Sequence, residues 1–179
     1  DALVSLSGHR RQQVWEAAAL HVAPALLRQA PVHESPLALQ AAPLGEEVVF
    51  DYAATGLSLR AHPLYLLREQ LSKMKQQRVF LRSSDLAGLP SGRWVRACGL
   101  VTARQRPQTA KGVVFVTLED ETGSVNVIVW AKVKERFRDV VYQSRLMAVV
   151  GQWQRDDESG GQVRHLIAHQ LEDFTPLLG

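Results

Sequence analysis

From position 113 to 130 apolar and polar side chains alternate with the two-residue period of a half-buried strand. Val114, Val116 and Leu118 form one set, and Phe115, Thr117 and Glu119 the other. The turn Glu121-Thr122-Gly123 leads into a second alternating run, with Val125, Val127 and Val129 set against Asn126, Ile128 and Trp130. Upstream, 94–105 is a longer Val- and Ala-rich run interrupted by Gly99. Downstream, 131–142 changes to helical spacing, with Val133, Phe137, Val140 and Val141 on one side. Two more apolar runs, 146–155 and 162–174, are joined by the polar turn Asp156-Asp157-Glu158-Ser159-Gly160-Gly161.

Three strands, a helix and two strands are the order of a five-stranded OB-fold β-barrel, with the helix bridging the third and fourth strands. Gly99 suits the long first strand, which must bend sharply to serve two sheets. The fold class predicted is therefore α+β, an OB barrel in the C-terminal half preceded by a helical segment and a linker.

The N-terminal half has weaker patterning. Residues 8–22 read as a helix with Ser7 as N-cap and Val14, Ala17, Ala18 and His21 on one face beside Trp15. A second short helix is expected over 24–29. Pro31, Pro36 and Pro43 mark 30–45 as a linker, and 47–52 is an apolar run of ambiguous type. Pro63 opens a helix over 63–77 on which Leu64, Leu67, Leu71 and Met74 recur at helical spacing, with Arg68, Lys73 and Lys75 on the exposed side. The domain boundaries expected are 1–30, 31–85 (including the basic helix) and 86–179.

Composition adds little until charge is mapped along the chain. Of 179 residues, 46% are hydrophobic and 22% charged, as in ordinary globular proteins. The net charge is +3, but residues 60–118 hold eleven Lys/Arg against Glu69 and Asp85 alone, so +9 there leaves −6 elsewhere. Such segregation creates a local positive field that attracts polyanions. No apolar run is long enough to cross a bilayer and no signal peptide is visible. The single cysteine, Cys98, fits a reducing compartment, so a cytoplasmic location is expected. The first residue is Asp1 rather than Met, in the approach to a helix, which reads as a piece of something longer.

Strand parity then locates the candidate chemistry. With the aliphatic sets inside the barrel, Phe115, Thr117 and Asn126 face outward where OB folds hold single strands. Thr102, Arg104 and Arg106 share a face of the first strand, and Lys111 lies in the loop that follows. A base stacked on an exposed ring is worth about 1–3 kcal/mol, and cations track the phosphates. Trp153 and Arg155, near one rim on the fourth strand, are further contact candidates. A purely structural reading stands beside each: Phe115 covered by the upstream linker, Trp130 packed as core beside the helix, the cations simply solvated. His165 and His169 share a face but have no third metal ligand at a fitting spacing, and Asp156-Asp157-Glu158 reads as a solvated turn. Leu89-Pro90-Ser91-Gly92 precedes a strand and reads as a plain turn rather than a helix-hairpin-helix motif. No phosphate-cradling glycine loop, nucleophile elbow or catalytic Cys/His pair is present, so no catalytic residue and no cofactor are expected in this segment.

The residues 95–102, Thr109-Ala110-Lys111-Gly112-Val113-Val114-Phe115-Val116-Thr117-Leu118-Glu119-Asp120-Glu121-Thr122-Gly123 and Val125-Asn126-Val127-Ile128-Val129-Trp130 resemble the OB domain near the C-terminus of C-family bacterial DNA polymerases. The likeness is greatest to the error-prone, damage-inducible branch of the DNA polymerase III alpha subunits. Gly56-Leu57-Ser58-Leu59-Arg60-Ala61-His62-Pro63 resembles the stretch before that domain, and Ser7-Gly8-His9-Arg10-Arg11-Gln12 with Trp15 resembles the end of a tandem helix-hairpin-helix region. The ending Asp173-Phe174-Thr175-Pro176-Leu177-Leu178-Gly179 is also similar to that family's terminus.

The resemblance implies a parent nucleotidyltransferase that makes DNA on a template, using magnesium held by acids outside this segment. It further implies damage-induced mutagenesis (the SOS response) and translesion synthesis. The partners implied are single-stranded template DNA, an inactive Y-family polymerase relative, a RecA-like accessory protein and the sliding clamp. Part of the middle motif is shared with tRNA anticodon-binding OB domains, where the residues matching Phe115 and Asn126 contact a base. Gln70-Leu71-Ser72-Lys73-Met74 has the leading Gln and Leu of a clamp-binding peptide without its final apolar-aromatic pair, and a helix explains it equally well. Two alternatives remain open at this point: a module that docks the mutagenesis proteins, and an anticodon-binding domain. The second is disfavoured because the chain is expected to end just beyond its barrel.

Overall fold

The computed structural model describes residues 8–19, 37–74, 79–107, 112–155 and 163–178. The chain divides into two compact units, 1–56 and 57–179, so the basic helix falls in the same unit as the barrel.

In the first unit, α1 (Arg10–Ala19) and α2 (Leu44–Thr55) are joined by charge rather than by a large apolar core. Arg10 pairs with Asp51 and, at 3.4 Å, with Glu47, while Arg11 pairs with Glu46. His9 Nε2 and Leu39 O lie 2.7 Å apart, and Leu39 N donates to Gln12 Oε1 at 3.0 Å. The ambiguous run at 47–52 is thus helical, and Val48 is its buried apolar residue. Gly56, at φ +75°, ends α2 in the left-handed conformation that glycine adopts freely, and its N–H donates to Tyr52 O. Val14 and Trp15 are exposed. The predicted cap Ser7, residue His21 and the predicted helix 24–29 lie outside the described residues.

In the second unit, α3 (Pro63–Lys73) begins as the sequence predicts, with Pro63 in the first turn and Nδ1 of His62 accepting from Leu64 N at 3.1 Å. Leu64 and Leu71 are fully buried against Cys98, Leu146, Ala148 and Phe174, so the helix packs on the outside of the barrel. Leu71 is therefore a core residue of this unit and is not available to a clamp. Arg68, expected on the exposed side, is instead held by the turn Asp120-Glu121-Thr122. Its Nε donates to Glu121 at 2.8 Å, its guanidinium meets Asp120 at 3.4 Å, and a third N–H reaches Phe80 O. A five-residue helix not foreseen from the sequence, α4 (Ser83–Ala87), buries Leu86. A turn over Leu89-Pro90-Ser91-Gly92 then opens into the strand that starts at Trp94.

The barrel strands are β1 (Trp94–Gln105), β2 (Val114–Asp120), β3 (Gly123–Val129), β4 (Leu146–Arg155) and β5 (Arg164–Asp173). They close in the order β1-β2-β3-β5-β4, with β3 and β5 parallel and the other pairs antiparallel. Helices α5 (Ala131–Arg136) and α6 (Arg138–Gln143) bridge β3 and β4, the predicted helix being broken at Phe137. The interior is the predicted aliphatic set: Val114, Val116, Leu118, Val125, Val127 and Val129, joined by Val95, Ala97, Val149 and Leu166.

Two glycines make closure possible. A Cβ on Gly99 would sit 2.7 Å from Leu118 Cβ, where β1 passes from pairing with β4 to pairing with β2. At Gly151 the demand is stronger, since a Cβ there would lie 2.0 Å from Ile167 O. Gly151 flanks a bulge: Val150 pairs with Gln170 and Gly151 with Ala168, so His169 is the extra residue of β5. A short 3-10 turn, Thr175–Leu178, follows β5.

Candidate nucleic-acid interface

The outer face of β2 and β3 carries the side chains that parity assigns to it. Phe115 is half-buried opposite Ile128, and Thr117 is opposite Asn126. Thr117 Oγ1 donates to Asn126 Oδ1 at 3.3 Å, and the Asn126 amide nitrogen has no partner among the described residues. Trp130 follows Ile128 on the same parity and is 51% exposed, so the core reading of that ring does not hold. Its position at the start of α5 keeps it at the end of β3 rather than beneath the helix.

On β1 the face differs from the sequence expectation because of a bulge. Val101 pairs with Leu118 and Ala103 with Thr117, which leaves Thr102 as the extra residue. One inserted residue reverses the in-out phase of everything beyond it. Gln105 therefore stands opposite Phe115, and Arg104 stands opposite the inward-facing Val116.

The Arg104 guanidinium caps the C-terminal end of α6 instead, donating through Nε to Val141 O at 2.7 Å and through a second N–H to Ser144 O. Partial burial lowers its pKa from the usual arginine value, and the side chain keeps its charge for the helix end. Arg106 is exposed just past β1, and Lys111 lies outside the described residues.

Trp153, expected as a contact near the rim, is 3% exposed and belongs to the barrel interior. It pairs with Leu166 on the inward phase of β4, where a large ring fills the barrel core. Arg155 is half-buried at the end of β4, and its backbone N–H donates to Ser91 Oγ at 3.1 Å. The face that emerges therefore comprises Gln105, Phe115, Thr117, Asn126, Ile128 and Trp130, with Arg106 at its margin. Gln105 escaped the sequence reading because a bulge leaves no compositional trace, whereas the exposure of Trp130 was implicit in its parity.

One end of this face is acidic and structurally committed. Asp120 is buried in the β2–β3 turn and accepts from Ser83 N, Ser83 Oγ, Thr122 N, Thr122 Oγ1 and Gly123 N. Burial pushes its pKa up, but the hydrogen bonds from Thr122 and Ser83 outweigh it and hold it below the ordinary carboxylate value. Glu119 is exposed nearby, 3.9 Å from His62 Nε2. Among the described residues no three acidic, His or Cys side chains come together to hold a metal, and no helix is long and apolar enough to cross a membrane. The exposed Trp130 ring, the half-buried Phe115 ring and the amides of Gln105 and Asn126, set apart from the acidic end at Glu119, can stack and hydrogen-bond an unpaired base.

The family model described as an OB-fold nucleic acid binding domain (tRNA_anti-codon) matches residues 95–173. The chain is 52% identical to an error-prone DNA polymerase of Ralstonia nicotianae and 50% identical to one of Ralstonia pickettii. Both alignments cover 100% of this chain and 16% of the relative, so the chain spans about a sixth of the length of these proteins. Among solved structures, an asparaginyl-tRNA synthetase from Pyrococcus horikoshii, complexed with asparaginyl-adenylate, superimposes with a TM-score of 0.45 at 23% identity. That match covers 54% of this chain and 22% of the synthetase.

Proposed function

The chain is homologous along its whole length to a segment of the bacterial error-prone DNA polymerases and contains their OB-fold nucleic-acid-binding domain, and from that premise we propose that its barrel grips single-stranded template DNA. The observation that carries the reading is the outer face of β2 and β3, where Phe115 stays partly accessible between Gln105 and Ile128, Asn126 stands two residues along β3, and Trp130 is exposed just past the end of that strand. Rings accept any base by stacking, at about 1–3 kcal/mol per base, and the amides Gln105 and Asn126 hydrogen-bond base edges. Arg68 and Arg82 are paired with Asp120 and Glu121, so the attraction for phosphates comes from the remaining cations of residues 60–118. Arg106 and Lys111 are the proposed phosphate contacts in the β1–β2 loop.

In this reading the segment holds and orients the template, and the nucleotidyl transfer of the parent enzyme, with its magnesium, is carried by acids elsewhere in the longer protein. Lesion bypass in damage-induced mutagenesis, and contact with an inactive Y-family relative, a RecA-like protein or the clamp, belong to that whole protein.

The test is a fluorescence-anisotropy titration of the 179-residue chain with single-stranded oligonucleotides at two salt concentrations. Affinity should fall with salt, with a slope of about −0.7 per phosphate neutralised. Phe115→Ala should weaken binding about tenfold. Salt-independent binding, or equal affinity for Phe115→Ala and the parent, would defeat the proposal. A preference for RNA over DNA would transfer the same face to an anticodon-like role.

A further inference from the structure

Trp94, the first residue of β1, is 58% exposed on the outside of the barrel. Its ring centre lies 4.5 Å from that of His169, the two planes tilted by 54°. His169 is the extra residue of the β5 bulge beside Gly151, so the same close approach that excludes a side chain at Gly151 places the imidazole beside Trp94. A ring braced on one side by another ring loses little rotamer freedom when a third group stacks on it. Arg93 and Arg96 flank it in sequence, both are exposed, and neither makes an ion pair among the described residues.

The position of this pair relative to Phe115 follows from the register. Trp94 is opposite Gln152, Gln152 opposite Ile167, Ile167 beside Ile128, and Ile128 opposite Phe115. Directly paired residues share a face, so these five side chains form one row around the outer surface. Gln152, Ile167 and Ile128 each keep part of their surface exposed. The row crosses four of the five strand interfaces of the closed barrel, so its path of about 19 Å, at the usual separation of strands, curves around most of the outer surface.

We propose that Trp94, braced by His169 and flanked by Arg93 and Arg96, is a second stacking platform for an unpaired base of the same single strand that crosses Phe115. The inference rests on the reading of the β2–β3 face given above and extends the strand's path across β5 and β4. Unpaired nucleic acid is the occupant favoured because a flat exposed ring beside two unneutralised guanidinium groups is complementary to a base and its phosphates. Between the two platforms Ile128 and Ile167 offer aliphatic surface, and the Gln152 amide donates to Gly92 O at 3.0 Å, so a strand can pass there without base-specific contacts.

The experiment measures anisotropy of the full 179-residue chain with an oligothymidylate of about sixteen nucleotides, the upper end of OB-fold site sizes. Trp94→Ala should bind about tenfold more weakly, and Trp94→Tyr should stay within about twofold of the parent. Thermal melting should be the same in all three, since the replaced ring is largely exposed. Weakening by both Trp94→Ala and Phe115→Ala, with rescue by Trp94→Tyr, supports the second platform. If Phe115→Ala weakens binding and Trp94→Ala does not, the second platform is overturned and the β2–β3 reading stands. If Trp94→Tyr loses as much as Trp94→Ala, stacking is not the source and the inference fails. Loss of affinity in neither Ala variant overturns both readings together.

Discussion

Gln105 faces Phe115 directly across β1 and β2, while its neighbour Arg104 turns away to hold the end of α6. The two residues should therefore separate cleanly on mutation. Gln105→Ala is expected to weaken single-strand binding several-fold and to leave the melting temperature unchanged. Arg104→Ala should do the reverse, costing about 1–2 kcal/mol of stability through the lost charge-assisted hydrogen bonds while affinity stays within about twofold. Paired melting and anisotropy measurements on both variants check this.

Asp120 ties the β2–β3 turn to α4 and α3, and its lowered pKa makes that tie sensitive to acid. A carboxylate with a depressed folded value contributes stability that is full above the ordinary 3.8 and is lost as pH falls through the folded value. Melting temperature should thus decline below about pH 4. In Asp120→Asn the decline should be shallower, with stability near neutrality reduced by about 2 kcal/mol. Melting curves over an acid series read both effects.

His62 supplies a second and earlier pH dependence. Burial lowers its pKa below the ordinary 6.5, with Glu119 pulling the other way, and its Nδ1 must be unprotonated to accept from Leu64 N. The stability it contributes is complete above 6.5 and is lost as pH falls toward the depressed folded value. The chain should melt lower at about pH 5.5 than at about pH 7.5. His62→Asn, which keeps an N-cap acceptor without the titration, should narrow that difference.

Gly151→Ala is the substitution expected to do most damage. Its methyl group would fall 2.0 Å from the Ile167 carbonyl oxygen, so β4 and β5 must part or the bulge must rearrange. A loss of about 3 kcal/mol or more is expected in denaturant unfolding, whereas Gly45→Ala, within α2 and with nothing inside 4 Å, should cause no loss.

The barrel was legible in the sequence because β2 and β3 alternate without interruption and their inward positions Val114, Val116, Leu118, Val125, Val127 and Val129 are aliphatic. Phe115, Thr117 and Asn126 were placed on their face by the same parity. Beyond Thr102 parity failed: a bulge is a property of pairing between strands, and one strand's sequence does not record it. Arg68 looked exposed on its helix, since its acidic partners Asp120 and Glu121 lie more than fifty residues away. Trp153 was misplaced for a different reason. Its side chain follows the inward phase of Val149 and Gly151 along β4, and that parity was outweighed by its place near the end of the strand. The helix α2 was ambiguous because it buries few apolar side chains and is held mainly by ion pairs to α1.

The covering of Cys98 by α3 has a practical consequence. The thiol is 2% exposed and burial raises its pKa to about 12, so at neutral pH it is neither ionised nor within reach of an alkylating reagent. Cys98 can stay in place while a single dye is attached elsewhere. Ser124→Cys, exposed on β3, would carry the label on the very face whose occupancy is in question, in a protein otherwise unaltered.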